Sequence, residues 1–156
     1  MSVNGKTLDT PAFTVEPSDR VVVDGSPLPA FQAPRLFLYH KPVGLVTTAR
    51  DEKGRPTVFD RLPRGLPRVV SVGRLDINSE GLLLLTNDGE LARYLELPAT
   101  GLKRCYRVRL NGPVNAARLA SLRHGITVDG VRYGSMEARV EGPHSGSNQW
   151  LVITLR

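Results

Sequence analysis

Residues 70–89 read VSVGRLDINSEGLLLLTNDG. Apolar runs at 69–72 and 82–86 have the length of buried strands. Between them lies a polar loop, residues 73–81, holding Arg74, Asp76, Asn78, Ser79 and Glu80. After the second run, Asn87 with Glu90 three residues on matches a capping box. Leu91, Ala92 and Leu95 then mark one face of a helix that ends before Pro98. The stretch therefore predicts strand, rigid polar loop, strand, helix.

The same order continues on both sides. Upstream, residues 36–40 form an apolar strand, Lys41-Pro42-Val43-Gly44 a turn and residues 45–48 a returning strand, and residues 57–62 make a single helical turn stopped at Pro63. Downstream, Tyr106, Val108 and Leu110 alternate with Arg107 and Arg109, the period of a strand. Residues 115–123 read as an amphipathic helix with Ala116, Leu119, Ala120 and Leu122 inward and Gly125 as its stop. Strands follow at 126–128, 136–140 and 149–155, with Asp129-Gly130 as a turn. Many strands, short turns and two or three short helices predict an α+β fold with a mixed, largely antiparallel sheet. At the N-terminus, Val3-Asn4-Gly5 and the run Arg20-Val21-Val22-Val23-Asp24-Gly25 look like two short strands with turn residues at their ends. SPLPAFQAP, residues 26–34, reads as a linker. Thirty residues are too few for an independent core, and the last strand runs to Arg156 without a polar tail, so the sequence reads as cut at both ends.

Composition narrows the class. The chain has 156 residues and 40% apolar content, with a mean hydropathy of −0.18, enough for one domain with a real core. Its 15 Gly and 12 Pro favour turns over long helices. No apolar stretch approaches the roughly 20 residues that span a bilayer, and MSVNGKTLDT lacks the basic start and apolar run of a signal peptide. Cys105 is the only cysteine, which excludes an intramolecular disulfide and points to a reducing cytoplasm. Twenty-one basic residues against 15 acidic give a net charge of +6, favouring a polyanionic partner.

A polar loop between two buried strands can hold a carboxylate rigidly beside a cation. An aspartate is charged at neutral pH without help and can serve as nucleophile or base. Asp76 beside Arg74 is the candidate; the plainer alternative is a turn in which Asp76 bonds its own backbone. Tyr106, between Lys103-Arg104 and Arg107, can stack on a base while the cations hold phosphates, or it is simply a half-buried strand residue. The scatter Arg50, Lys53, Arg55, Arg61, Arg64 and Arg68 is a phosphate-binding loop or a solvated surface. Asp76 with Glu80 also offers a glycosidase-like carboxylate pair, against which stands the lack of aromatics for sugar stacking. His40, His124 and His144 lack metal-ligand spacing, and no nucleotide-binding glycine motif occurs.

GRLDINSEGLLLLTNDG at 73–89 resembles the signature loop and strand of the RsuA family of ribosomal RNA pseudouridine synthases. HKPVG at 40–44, LELPATG at 95–101, KRCYRVRL at 103–110 and the strand QWLVITL extend the likeness over residues 36–156, with LELPATG nearest the RluB-like branch that modifies large-subunit RNA. Residues 3–25 resemble the tail of an S-four-type RNA-binding module. The resemblance implies the pseudouridine-synthase fold, with residues 1–30 as remnant and linker and residues 31–156 as the catalytic domain lacking its C-terminal segment. It implies that Asp76 attacks a flipped-out uridine, that Arg74 lies near that nucleotide and that Tyr106 stacks on the base. Lys41 would border the cleft, with Arg50, Arg55, Lys103, Arg104 and Arg107 also on RNA. The enzyme would be a cytoplasmic monomer with no metal or organic cofactor. A rival reading is a non-catalytic RNA-binding module or an inactive fragment.

Overall fold

The computed structural model describes every residue except Pro11, Ala30 and Phe31, and all side chains but theirs and those of His144 and Ser145. The backbone divides into two compact units, Met1–Pro34 and Arg35–Arg156.

In the first unit the two expected strands are two hairpins. β1 (Ser2–Val3) turns through Asn4-Gly5 into β2 (Lys6–Thr7), and β3 (Val21–Val23) through Asp24-Gly25 into β4 (Ser26–Pro27). Both turn pairs have positive φ, 50° and 83° for the first and 50° and 78° for the second. Such turns match the twist of a two-residue hairpin. Pairing of β1 with β3 joins them in the order β2-β1-β3-β4. Asn4 fastens the join: its Oδ1 accepts from the Arg20 N–H at 2.9 Å and its Nδ2 donates to Asp19 at 2.8 Å. Among the described residues of this unit only Val3 and Val21 are buried, a core too small to stand on hydrophobic burial. The expected linker begins inside β4, and its Ala30 and Phe31 lie outside the described residues.

The second unit is α+β with two three-stranded antiparallel sheets. The first is β5 (Leu36–Lys41), β7 (Gly81–Thr86) and β6 (Val70–Val72), with β7 central. Helix α1 (Gly89–Glu96) packs on β6 and β7. Its cap is Asp88, whose carboxylate accepts from the N–H groups of Glu90 and Leu91 at 2.8 and 2.9 Å. Asn87, the expected cap, instead accepts from the Arg35 N–H at 2.7 Å. The second sheet is β8 (Arg104–Asn111), β12 (Asn148–Leu155) and β11 (Glu137–Ser145), with β12 central. Between β8 and β11 come α2 (Ala116–Ser121), a 3-10 turn at Leu122–His124, and the hairpin of β9 (Ile126–Val128) and β10 (Val131–Tyr133). Of the residues expected to face inward from α2, Leu119 and Leu122 are half-buried, but Ala116 and Ala120 are exposed. Gly125 ends the 3-10 turn with φ 78°, and a Cβ there would meet the Tyr133 carbonyl at 2.4 Å, so only glycine fits. Among the described residues no helix is long and apolar enough to cross a membrane.

Residues 45–48 do not form the expected strand. The Val46 N–H donates to Pro56 at 3.0 Å, the Val46 carbonyl accepts from Val58 at 3.0 Å, and an isolated bridge joins Val46 to Thr57. The segment's other edge holds the 73–80 loop. Leu45 and Val58 enter the core with Val69, Leu83 and Leu85, and Phe37, Tyr39, Phe59, Leu62 and Leu75 pack around them. This core lies directly beneath the polar loop.

Candidate active site

The loop between β6 and β7 alternates. Arg74, Asp76, Asn78 and Glu80 are exposed, while Leu75, Ile77 and Ser79 are half-buried. Backbone clamps set that parity. The Gly44 N–H donates to the Ile77 carbonyl at 2.7 Å. The buried Thr47 hydroxyl donates to the Leu75 carbonyl at 2.8 Å and accepts from the Leu75 N–H at 3.2 Å. At the loop's start, the Gly73 N–H donates to the Glu96 carboxylate at 2.7 Å. Residues 44–47 thus hold 75–77 as an improvised strand, which turns the side chains between them outward.

Lys41 completes the clamp. It is fully buried at the end of β5, and its ammonium donates to the carbonyls of Pro42, Asp76 and Ser79 at 3.1, 3.0 and 2.8 Å. An ammonium has three donors, and all are used. Burial pushes its pKa below the usual lysine range, while the negative charge of Asp76 pulls it back up. The expectation that Lys41 borders the cleft and touches RNA is corrected: with no accessible surface, Lys41 supports the loop from below. It also adds positive potential under the Asp76 backbone.

The Asp76 carboxylate itself accepts no hydrogen bond among the described residues, so the self-bonded turn is not what forms. The Asp76 carbonyl does close a turn by accepting from the Ser79 N–H at 3.0 Å, which leaves the side chain free. It opens on a groove of about 600 Å³ shared with Arg50, Lys53, Arg55, Arg74 and Thr48. Arg55 is not wholly available to a ligand. It pairs with Asp51 through Nε at 3.1 Å and a terminal nitrogen at 2.7 Å, and those bonds hold the Asp51 pKa down at about 2. Asp51 also accepts from the N–H groups of Lys53 and Arg55, so this carboxylate shapes the basic loop from within. Glu80 does not line the groove, so the Asp76–Glu80 carboxylate pair is not brought together there; the other carboxylates on the groove are Asp51, tied to Arg55, and Glu52.

The other candidates do not line this groove. Tyr106 is 39% exposed on β8 opposite Ile153 and is not among the residues lining the Asp76 groove. Lys103 is exposed just before β8. Arg104 donates to the Leu95 and Glu96 carbonyls at 3.4 and 3.2 Å, the end of α1 where a cation is favoured. Arg107 lies on the opposite face of β8 from Tyr106 and pairs with Glu141. As the strand period predicts, Arg107 does not share a face with Tyr106, and Arg104 is engaged at the end of α1. Thr47 and Asp51 escaped the sequence reading. Only the four-residue spacing of Asp51 and Arg55 signalled one of them.

Comparison with known proteins agrees with the fold. Residues 35–149 match the family model for RNA pseudouridylate synthase. An RNA pseudouridine synthase of Rickettsia felis is 45% identical over 155 residues, 99% of this chain and 66% of the relative. The ribosomal large subunit pseudouridine synthase B of Pasteurella multocida is 46% identical over 122 residues, 78% of this chain and 35% of the relative. The chain thus spans less than two thirds of the length of these relatives. A crystal structure of a pseudouridylate synthase superposes with a TM-score of 0.64 at 23% identity, covering 97% of this chain and 64% of that one, a likeness of fold. With nearly three quarters of its length inside that family model, and the same fold, the chain belongs to the RNA pseudouridylate synthase family.

Proposed function

We propose that the chain isomerises a uridine of ribosomal RNA, in the large subunit, to pseudouridine, with Asp76 as nucleophile. One observation carries the reading: an exposed carboxylate, without a hydrogen bond among the described residues, on a loop clamped by Lys41, Gly44 and Thr47, at the rim of an arginine-lined groove. Chemistry on a base requires that the base leave the stack for a shaped pocket. A carboxylate held by its backbone meets that base without first having to be ordered. Asp76 attacks the anomeric carbon or the ring, the N-glycosidic bond breaks, the freed uracil turns and rejoins the sugar through carbon, and the bond to Asp76 breaks to restore the carboxylate. The carbon that forms the new bond loses its proton, and the ring nitrogen released from the sugar gains one. No atom is added or lost.

Arg74 and Arg50 stand on the groove to hold phosphates or the gap in the stack. Tyr106 supplies the stacking surface, and Lys103 and Arg55 hold flanking phosphates. Residues 1–30 act as part of an S-four-type RNA-binding module plus linker, and residues 31–156 as the catalytic domain. The enzyme works as a monomer in the cytoplasm, where ribosomes are modified.

The test is modification mapping of a large-subunit RNA fragment incubated with wild-type chain and with Asp76→Asn. New pseudouridine with wild type alone, at equal RNA affinity, is the expected result. RNA binding without pseudouridine from the wild type favours a binding module and defeats the catalytic reading.

A further inference from the structure

The sheet of β8, β12 and β11 has two faces, and Tyr106 is on one of them. Register builds the other: Arg107 and Arg139 flank Val152 from either side, and Arg109 and Glu141 flank Trp150. Neighbouring strands lie about 4.8 Å apart, so the flanking pairs span about 10 Å across the sheet. The Arg107 guanidinium lies 4.1 Å from the centre of the Trp150 ring and that of Arg109 lies 6.0 Å away. The Glu141 carboxylate accepts from Nε of Arg107, which holds the guanidinium over the indole. The Arg107 side chain is still 59% exposed. Arg109 and Arg139 are exposed and have no hydrogen bond or ion pair among the described residues. Arg107, Arg109 and Arg139 against Glu141 and, one row further on, Glu137 leave the face with a net charge of +1.

Folding gives little reason for this arrangement. Surface cations raise stability chiefly when matched with carboxylates, and even then modestly. Here two of three guanidiniums are unmatched: Arg109, beside the chain's only tryptophan, and Arg139, in the neighbouring row. Guanidinium and indole planes are both surfaces on which an unpaired base stacks. Guanidinium forks also match phosphate oxygens in pairs.

We infer that this face is a second RNA contact, distinct from the Asp76 groove, which engages a single-stranded segment flanking the target. An unpaired base stacks on the Arg107–Trp150 platform while Arg109 and Arg139 hold phosphates on either side of it. Because the face points away from Tyr106, it takes part in neither base extrusion nor bond exchange. The inference rests on RNA as the substrate.

Trp150 reports on the face directly. A large-subunit RNA fragment labelled with a fluorophore is titrated with the chain, and RNA anisotropy and Trp150 emission are followed together at several salt concentrations. Binding is expected to quench Trp150 in step with the anisotropy, and to do so equally in Asp76→Asn. The pair Arg109→Gln and Arg139→Gln is expected to lower the slope of log affinity against log salt by about 1.4, at about 0.7 for each single-strand phosphate contact. Both arginines are exposed, and the urea midpoint of the double variant checks that its fold is kept. RNA that binds with unchanged Trp150 emission and a wild-type salt slope in the double variant overturns the second surface and leaves the catalytic proposal intact. RNA that does not bind at all overturns both.

Discussion

Replacing Lys41 by methionine keeps most of the side-chain volume and removes the ammonium. Three carbonyls lose a donor, those of Pro42, Asp76 and Ser79. The Asp76 carbonyl keeps the Ser79 N–H at 3.0 Å, so two part-buried acceptors are left without that partner. At about 1–2 kcal/mol each, the low end for an unsatisfied buried group, the loss is about 2–4 kcal/mol. The desolvation cost of a buried charge is relieved at the same time and offsets about 1 kcal/mol of it. Lys41→Met should therefore lower unfolding stability by about 1–3 kcal/mol, read from urea denaturation followed by circular dichroism. The larger effect falls on chemistry. Asp76 rides on the released turn, and a displacement near 1 Å costs about 100-fold in rate, so single-turnover pseudouridine formation should drop by about that factor. RNA affinity should stay close to wild type, since Lys41 has no accessible surface. A variant with wild-type stability and rate would refute the supporting role. A variant whose RNA affinity fell as far as its rate would put Lys41 at the RNA instead.

Two further outcomes test the loop scaffold. The Arg55 guanidinium holds the folded Asp51 pKa at about 2 against an ordinary 3.8, so between these values the unfolded chain binds more protons and stability rises with pH. Its contribution is complete above pH 3.8 and lost as pH falls through about 2; urea midpoints of wild type and Asp51→Asn should differ at pH 5 and converge near pH 2, whereas a constant gap would contradict the pairing with Arg55. Thr47→Val leaves both the N–H and the carbonyl of Leu75 without the hydroxyl they share; a loss of about 2–4 kcal/mol in urea unfolding follows, together with a fall in kcat larger than any change in KM.

Local rules made much of this chain legible before its coordinates. Asp129-Gly130 takes positive φ at both residues, as a two-residue hairpin demands. The runs at 70–72 and 82–86 pair as strands, and the loop between them does present Asp76 outward. The readings that changed share one cause. Asn87 and Asp88 both suit a helix start, and the contact of Asn87 with Arg35, 52 positions away, helps decide between them. Residues 45–48 have the composition of a strand, but their hydrogen bonds go to Pro56, Val58 and the 75–77 segment. Nothing local marks the lysine of Lys41-Pro42-Val43-Gly44 as buried, because two of the three carbonyls that take its ammonium lie more than 30 residues downstream.

Alone, the amino-acid order settled the α+β class, the turn positions and which side chains alternate, since these depend on neighbours within a few residues. Tertiary structure decided what each charge does: Lys41 beneath the loop, Arg55 tied to Asp51, Arg104 at the end of α1, Arg107 on Trp150, and Asp76 left open. The reason is electrostatic. The cost of burying or freeing a charge depends on which polar groups surround it in space, and those groups come from distant parts of the chain.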